Sequence, residues 1–252
     1  MNIRNQVGLV VVAAGLLGSV KGVTAEDLQK DDQYQRGRMG EQAADTQERD
    51  ANTILSKAAD TFKQLTEQRD VPQETKQSAK CIAVFPEVTK AAVLIGGRSG
   101  DGVAACRNQQ GKWSQVAFLD LRGASLGAQL GATQTSLVLF LQDQQAANKL
   151  QQGKLEFGAD ASAVFGSQAA GIDIGTADVF ALAEEDGMFA GATLNGVQIE
   201  ADESKAQAFY GREMKTPALL SSFDQEVKEQ SAKQFLQAVR QTLEQSAAGE
   251  QA

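Results

Sequence analysis

The residues able to carry chemistry in this sequence are few, and one type is missing. Among 252 residues there are two Cys, 32 Asp+Glu, 24 Lys+Arg and no His, for a formal charge of −8. Without His there is no Ser-His-Asp triad, no Cys-His pair, no His-ligated zinc and no imidazole switch. Two Cys cannot build a four-thiolate zinc site or hold an ordinary iron–sulfur cluster. No metal and no cofactor are expected. An acidic chain also lacks the basic surface that displaces counterions from nucleic acid, so no nucleic-acid partner is expected.

What remains is carboxylates. Asp101, Asp120, Asp160 and Asp173 are of the type that works in pairs in hydrolysis. Their spacing brings no two together, and Asp beside Gly is ordinary turn chemistry. Gly96-Gly97-Arg98-Ser99-Gly100-Asp101-Gly102 has the look of a phosphate cradle. It lacks the Gly-Lys-Ser/Thr ending and leads into a strand instead of a helix, so it reads as a tight inter-strand turn. Arg98 stays a candidate contact for a lipid phosphate, and Trp113 reads as a core or edge anchor. These residues point to binding and not to an enzyme.

The cysteines take their meaning from the compartment. Arg4, the apolar run from Val7 to Val20 and the small residues Val23-Thr24-Ala25 have the pattern of a secretory signal peptide over residues 1–25. The run of about 14 residues is short of the ~20 that span a bilayer. Export places the protein in the periplasm or outside the cell, peripherally on a membrane, where conditions are oxidising. A Cys81–Cys106 disulfide would there close a loop of about 26 residues, worth roughly 3.5 kcal/mol in the chain-entropy model. Buried free thiols are the alternative.

The elements that must position these groups follow from periodicity. Residues 26–50 are polar and poor in large aliphatic side chains, and read as a linker or frayed helix. From Asn52, Ile54, Ala58, Thr61, Phe62 and Leu65 recur at helical spacing. Asp70-Val71-Pro72 ends that helix, and Pro72 can open a second, short one. Glycine is then dense from Gly96 to Gly211 and proline absent from 87 to 216, which suits strands joined by tight turns. Short strands are expected at Cys81–Phe85, Ala91–Ile95, Val103–Arg107, Trp113–Asp120, Ser136–Leu141, Leu155–Phe157, Val179–Ala183, Met188–Leu194 and Val197–Glu200. Asp143–Leu150 reads as a helix, and Asn195-Gly196 as a hairpin turn. Gly123-Ala-Ser-Leu-Gly127-Ala-Gln-Leu-Gly131 reads as a strand, because three glycines would destabilise a helix by roughly 1 kcal/mol each. Its glycine face is either tightly packed or a trough for an acyl chain. Residues 214–247 are helical again, as one helix or two, with Leu219, Leu220, Phe223 and Val227 forming one stripe and Phe235, Leu236, Val239 and Leu243 another.

In order along residues 51–213, Ala83-Val-Phe-Pro-Glu-Val-Thr-Lys-Ala, Gly96-Gly-Arg-Ser-Gly-Asp-Gly-Val103, Trp113-Ser114, the Gly123–Gly131 run, Leu155-Glu-Phe-Gly-Ala-Asp-Ala, Gly187-Met-Phe-Ala-Gly191 and Phe209-Tyr210-Gly211 resemble the SYLF lipid-binding domain family in its secreted bacterial form. The resemblance implies an α+β domain: a curved, mostly antiparallel β-sheet or open barrel, packed by N-terminal and C-terminal amphipathic helices. It implies a phospholipid or membrane-surface partner, with contact through the helix before the sheet at Ile54, Lys57, Ala58, Phe62 and Leu65. An envelope protein is the other partner expected. Eukaryotic relatives bind phosphoinositide-type lipids and some bind actin, and actin is taken as implausible for an exported chain.

Overall fold

The computed structural model describes residues 25–92, 95–126, 131–166, 177–185 and 194–244. Two compact units divide the chain, Met1–Gln42 and Ala43–Ala252. Helix α1 spans Ala25–Gln68. The stretch expected as a linker or frayed helix, residues 26–50, therefore lies in a helix; apart from Gly37 and Gly40 it is built from residues a helix tolerates. The signal-peptide cleavage site expected after Ala25 falls almost wholly outside the described residues.

The second unit is organised by one eight-stranded sheet. Its strands are β1 (Cys81–Ala92), β2 (Ile95–Cys106), β3 (Ala117–Leu126), β4 (Gly131–Leu141), β5 (Lys154–Glu156), β6 (Ala163–Phe165), β7 (Val179–Glu185) and β8 (Val197–Ala201). They lie in the order β5-β8-β3-β2-β1-β4-β7-β6, and only the β6–β7 pairing is parallel. Five further helices join them: α2 (Gln73–Ser78), α3 (Gln144–Gln151), α4 (Glu203–Tyr210), α5 (Thr216–Leu220) and α6 (Gln230–Glu244). This is the α+β fold with a curled, mostly antiparallel sheet that the resemblance implies. The C-terminal segment is two helices, with Pro217 in the first turn of α5.

β1 is central, and Cys81-Ile-Ala-Val-Phe85 is buried residue by residue, as an apolar run covered on both faces should be. Register places Ile82, Val84, Val103, Phe118, Phe140 and Phe180 on one face. Helix α1 packs there through Phe62, whose ring centroid is 6.0 Å from that of Phe140. Helix α4 packs there through Phe209, 5.2 Å from Phe118. Ala83, Phe85, Leu119, Leu137 and Leu139 occupy the opposite face and are equally buried.

The strand expected at Cys81–Phe85 continues past Pro86 in β1. The register slips between Val84 and Glu87 towards β2 and between Phe85 and Val88 towards β4. A bulge is where a sheet can house a residue with no N–H. The Pro86 carbonyl accepts from Ser136 Oγ at 2.8 Å.

The run Gly96–Gly102 is not a turn. It lies inside β2, and its glycines serve close packing. A Cβ on Gly102 would stand 2.3 Å from the Phe85 ring and 2.7 Å from the Val84 carbonyl oxygen. One on Gly100 would stand 2.7 Å from the Glu87 carbonyl oxygen. The strand expected at Gly123–Gly131 is observed at Gly123–Leu126, in β3, and at Gly131, the start of β4; residues 127–130 lie outside the described residues. Asn195-Gly196 does turn, with Gly196 at φ +75°. The strand leaving it, β8, pairs with β3 and β5. Residues 188–193 of the strand expected before it are outside the described residues.

Candidate functional site

The five α1 residues expected to meet lipid are placed by the core. Ala58 and Phe62 are fully buried and Leu65 is 1% exposed. Ile54 is partly buried and packs on the same cluster. Only Lys57 reaches solvent, and its Nζ lies 2.9 Å from Glu87 Oε1. The groove beside it, between α1 and the sheet, is also lined by Asp60 and Glu184. Carboxylates outnumber the ammonium there, the wrong balance for an anionic membrane. The apolar stripe faces the sheet because Phe140 and its neighbours need a cover.

Arg98 stands elsewhere, beyond the Pro86 bulge. There Glu87, Thr89, Gly97, Ser99, Arg122 and Gln134 are exposed on one face, while Lys90 and Arg98 lie half-buried on the other; below the bulge the same strands are buried. Lys90 is the direct register partner of Arg98 across β1–β2. Thr133 of β4 faces Lys90, and Gly123 of β3 faces Arg98. Val88, Gly100 and Leu121 occupy the next positions on that face. Two like charges therefore sit opposite each other on a half-sheltered, partly apolar face, an arrangement that lowers sheet stability by roughly 0.2–1 kcal/mol.

A third constellation was not foreseen. Asp101 and Asp120 are register partners on β2 and β3. The expectation that no two aspartates meet is thus overturned, because the pairing is set by the sheet and not by sequence distance. Asp202, the N-cap of α4, joins them, and each of the three offers an oxygen within 4.8 Å of the others. Lys205 Nζ stands between Asp202 Oδ2 at 2.6 Å and Asp101 Oδ1 at 3.1 Å. Arg122 Nη2 lies 3.1 Å from Asp120 Oδ2. Burial, the charge of Asp202 and a proton shared with Asp101 raise the Asp120 pKa above its ordinary value. Burial opposes the charge on Lys205, but its hydrogen bonds to Asp202 and Asp101 outweigh that and raise its pKa. The cluster is an ion-pair network filled by the protein's own cations, and it ties α4 to β2 and β3. Asp160 is separate: Lys149 pairs with it at 3.0 Å, and that bond lowers its pKa. Asp173 lies outside the described residues.

Cys81 and Cys106 form a disulfide, S–S 2.03 Å, between register partners of β1 and β2. Tyr210 is largely buried; its hydroxyl donates to the Val116 carbonyl at 2.7 Å, and burial pushes its pKa up. No helix of the described residues is long and apolar enough to cross a membrane.

The fold is a curled, mostly antiparallel sheet packed by helices, of α+β class. Comparison with known proteins gives it a family. Residues 122–242 match the family described as Ysc84, Las17-binding protein actin regulator, and this part of the chain is a Ysc84 (SYLF) family domain. It is 30% identical over 162 residues to LAS seventeen-binding protein 3 of Saccharomyces cerevisiae, an alignment covering 60% of this chain and 34% of that one. It is 25% identical over 177 residues to SH3 domain-containing YSC84-like protein 1 of Homo sapiens, covering 65% of this chain and 52% of that one. The chain thus spans about a third to a half of the length of these curated relatives. No solved structure matches. The exclusion of actin-related partners does not stand, because the matched family is described as an actin regulator and the yeast relative shares its Las17-binding name.

Proposed function

We propose that this chain is a non-enzymatic binding module that works at a phospholipid surface of the cell envelope, and that Lys90 and Arg98, not the α1 stripe, meet the anionic head groups. The observation that carries this reading is the half-buried cation pair in register at the hairpin end of the sheet. An anion between the two side chains relieves their repulsion, and each cation near a charged membrane contributes about 1 kcal/mol. Export to the periplasm or beyond agrees with the signal-peptide pattern, and an oxidising compartment suits the Cys81–Cys106 bridge.

Co-sedimentation with phosphatidylglycerol vesicles tests it, with phosphatidylcholine vesicles as the comparison. Binding is expected to fall with salt and to drop at least tenfold, by about 1.4 kcal/mol or more, in the double variant Lys90→Glu, Arg98→Glu. Undiminished binding by that variant would refute the assignment. A second reading, a protein-binding module for actin-regulatory partners, is favoured by the relatives' printed names. Co-sedimentation with actin filaments, without lipid, separates the two.

A further inference from the structure

The other end of the β1–β2 pair holds a cleft that neither reading uses. Its volume is about 640 Å³, within the range of small-molecule sites. Lys80, just before β1, and Arg107, just after β2, line it with Gln77, Asn108, Gln144 and Gln151. The Arg107 backbone N–H donates to the Lys80 carbonyl at 2.8 Å. The two cations are therefore neighbours on one rung, a single step outside the Cys81–Cys106 bridge that fixes their spacing. Among the described residues lining the cleft there is no Asp or Glu, although the chain carries a charge of −8. The acids nearby in sequence are engaged. Asp143 accepts from the Gln145 and Ala146 N–H groups of α3, and Asp224 pairs with Lys112 at 2.7 Å.

The donors are held in place. Arg107 Nη2 donates to the carbonyls of Gln77 and, at 3.0 Å, Lys76, which seats the guanidinium against the end of α2. Those bonds engage one of its three nitrogens, and the group carries five N–H donors. Lys80 Nζ donates to the Gln142 carbonyl, one bond for three protons. Asn108 Oδ1 accepts from the N–H groups of Gln110 and Lys112 at 3.0 and 2.9 Å, so its NH2 is the end left to donate. Burial lowers the Arg107 pKa, the mark of a cation partly stripped of water.

We propose that this cleft binds a small phosphate-bearing group, held by Lys80 and Arg107 and finished by side-chain amides. A tetrahedral phosphate presents oxygens in several directions, which suits a planar fork, a point ammonium and amide donors arriving from different elements. The site does not depend on the membrane reading. Its ligand is either a free phosphate ester or a lipid head group, and the test distinguishes them.

Titration calorimetry of the purified chain with glycerol 3-phosphate, and separately with phosphatidylglycerol vesicles, tests the assignment. Saturable binding is expected to weaken about tenfold or more in Lys80→Gln, the scale of one charge-assisted hydrogen bond. It is expected to survive in Lys80→Arg, which keeps the charge. Arg107→Gln should weaken it too, but that variant also loosens α2, so Lys80→Gln is decisive. Binding of the soluble ester identifies a free-ester site. Lys80-dependent binding of vesicles alone identifies a head-group site. Absence of either up to about 10 mM ligand, a free energy near −3 kcal/mol, overturns the proposal, as does binding indifferent to Lys80→Gln.

Discussion

The two ends of the β1–β2 pair carry the same residue types in different settings. At the disulfide end, Lys80 and Arg107 flank a covalent bridge, and the strands beside them are buried on both faces. Their side chains are anchored to backbone carbonyls. At the hairpin end, Lys90 and Arg98 oppose each other beyond the Pro86 bulge, half-buried on the face opposite the exposed Thr89, Ser99 and Arg122. The first pair is rigid and bounded by walls, which suits a small ligand of fixed shape. The second is shallow, which suits a surface. Residue type alone does not distinguish them; the bulge and the bridge do.

The sharpest way to break this comparison is at the helix that closes the buried half. Phe62→Ala should lose about 3–5 kcal/mol, because a fully buried ring leaves a cavity. Urea denaturation reads this directly, and a variant that kept its stability while losing vesicle binding would return the lipid contact to α1. Replacing both cysteines, Cys81→Ala with Cys106→Ala, should lose roughly 3.5 kcal/mol in the chain-entropy model. Amide exchange should rise first around Lys80 and Arg107 and leave Lys90 and Arg98 little changed. Gly102→Ala should lose about 1–3 kcal/mol or more by overpacking against Phe85; an unchanged melting temperature would mean the ring does not lie over that glycine.

Smaller effects come from the charges. Folding raises the pKa of Asp120, so its protonated form is the one the fold favours. That contribution is complete below the ordinary aspartate value of 3.8 and is lost as pH rises through the raised value. Asp120→Asn should therefore melt a few degrees above the parent at neutral pH, and the gap should close in acid; a gap that persists at low pH would contradict the shared proton. Lys90→Gln, which removes one of two opposed charges, should gain roughly 0.2–1 kcal/mol. An equal gain in Lys80→Gln would erase the distinction between the two ends.

Much of this architecture could be read before the structure. The α3 helix, strands β5, β7 and β8, and the SYLF resemblance all followed from period and motif order. The failures share one cause, which is dependence on distant partners. Gly96–Gly102 has local turn chemistry, but its glycines answer to Phe85, Val84 and Glu87 on the neighbouring strand. Asp101 and Asp120 meet only because β2 and β3 pair in that register. The α1 stripe looks the same whether a sheet or a bilayer covers it. Asp202 carried a readable signal, an acid just before a helix, that nobody need have missed. Lys205, three residues later, would have followed from it.

The outermost strands, β5 and β6, are only three residues long. An incoming chain seeking to extend the sheet finds a ladder of a few rungs, and on one side that rim carries Lys154 and Glu156. Short, charged borders are how wide sheets avoid templating their own aggregation. The breadth of this sheet thus comes with built-in protection against fibre growth along its margins.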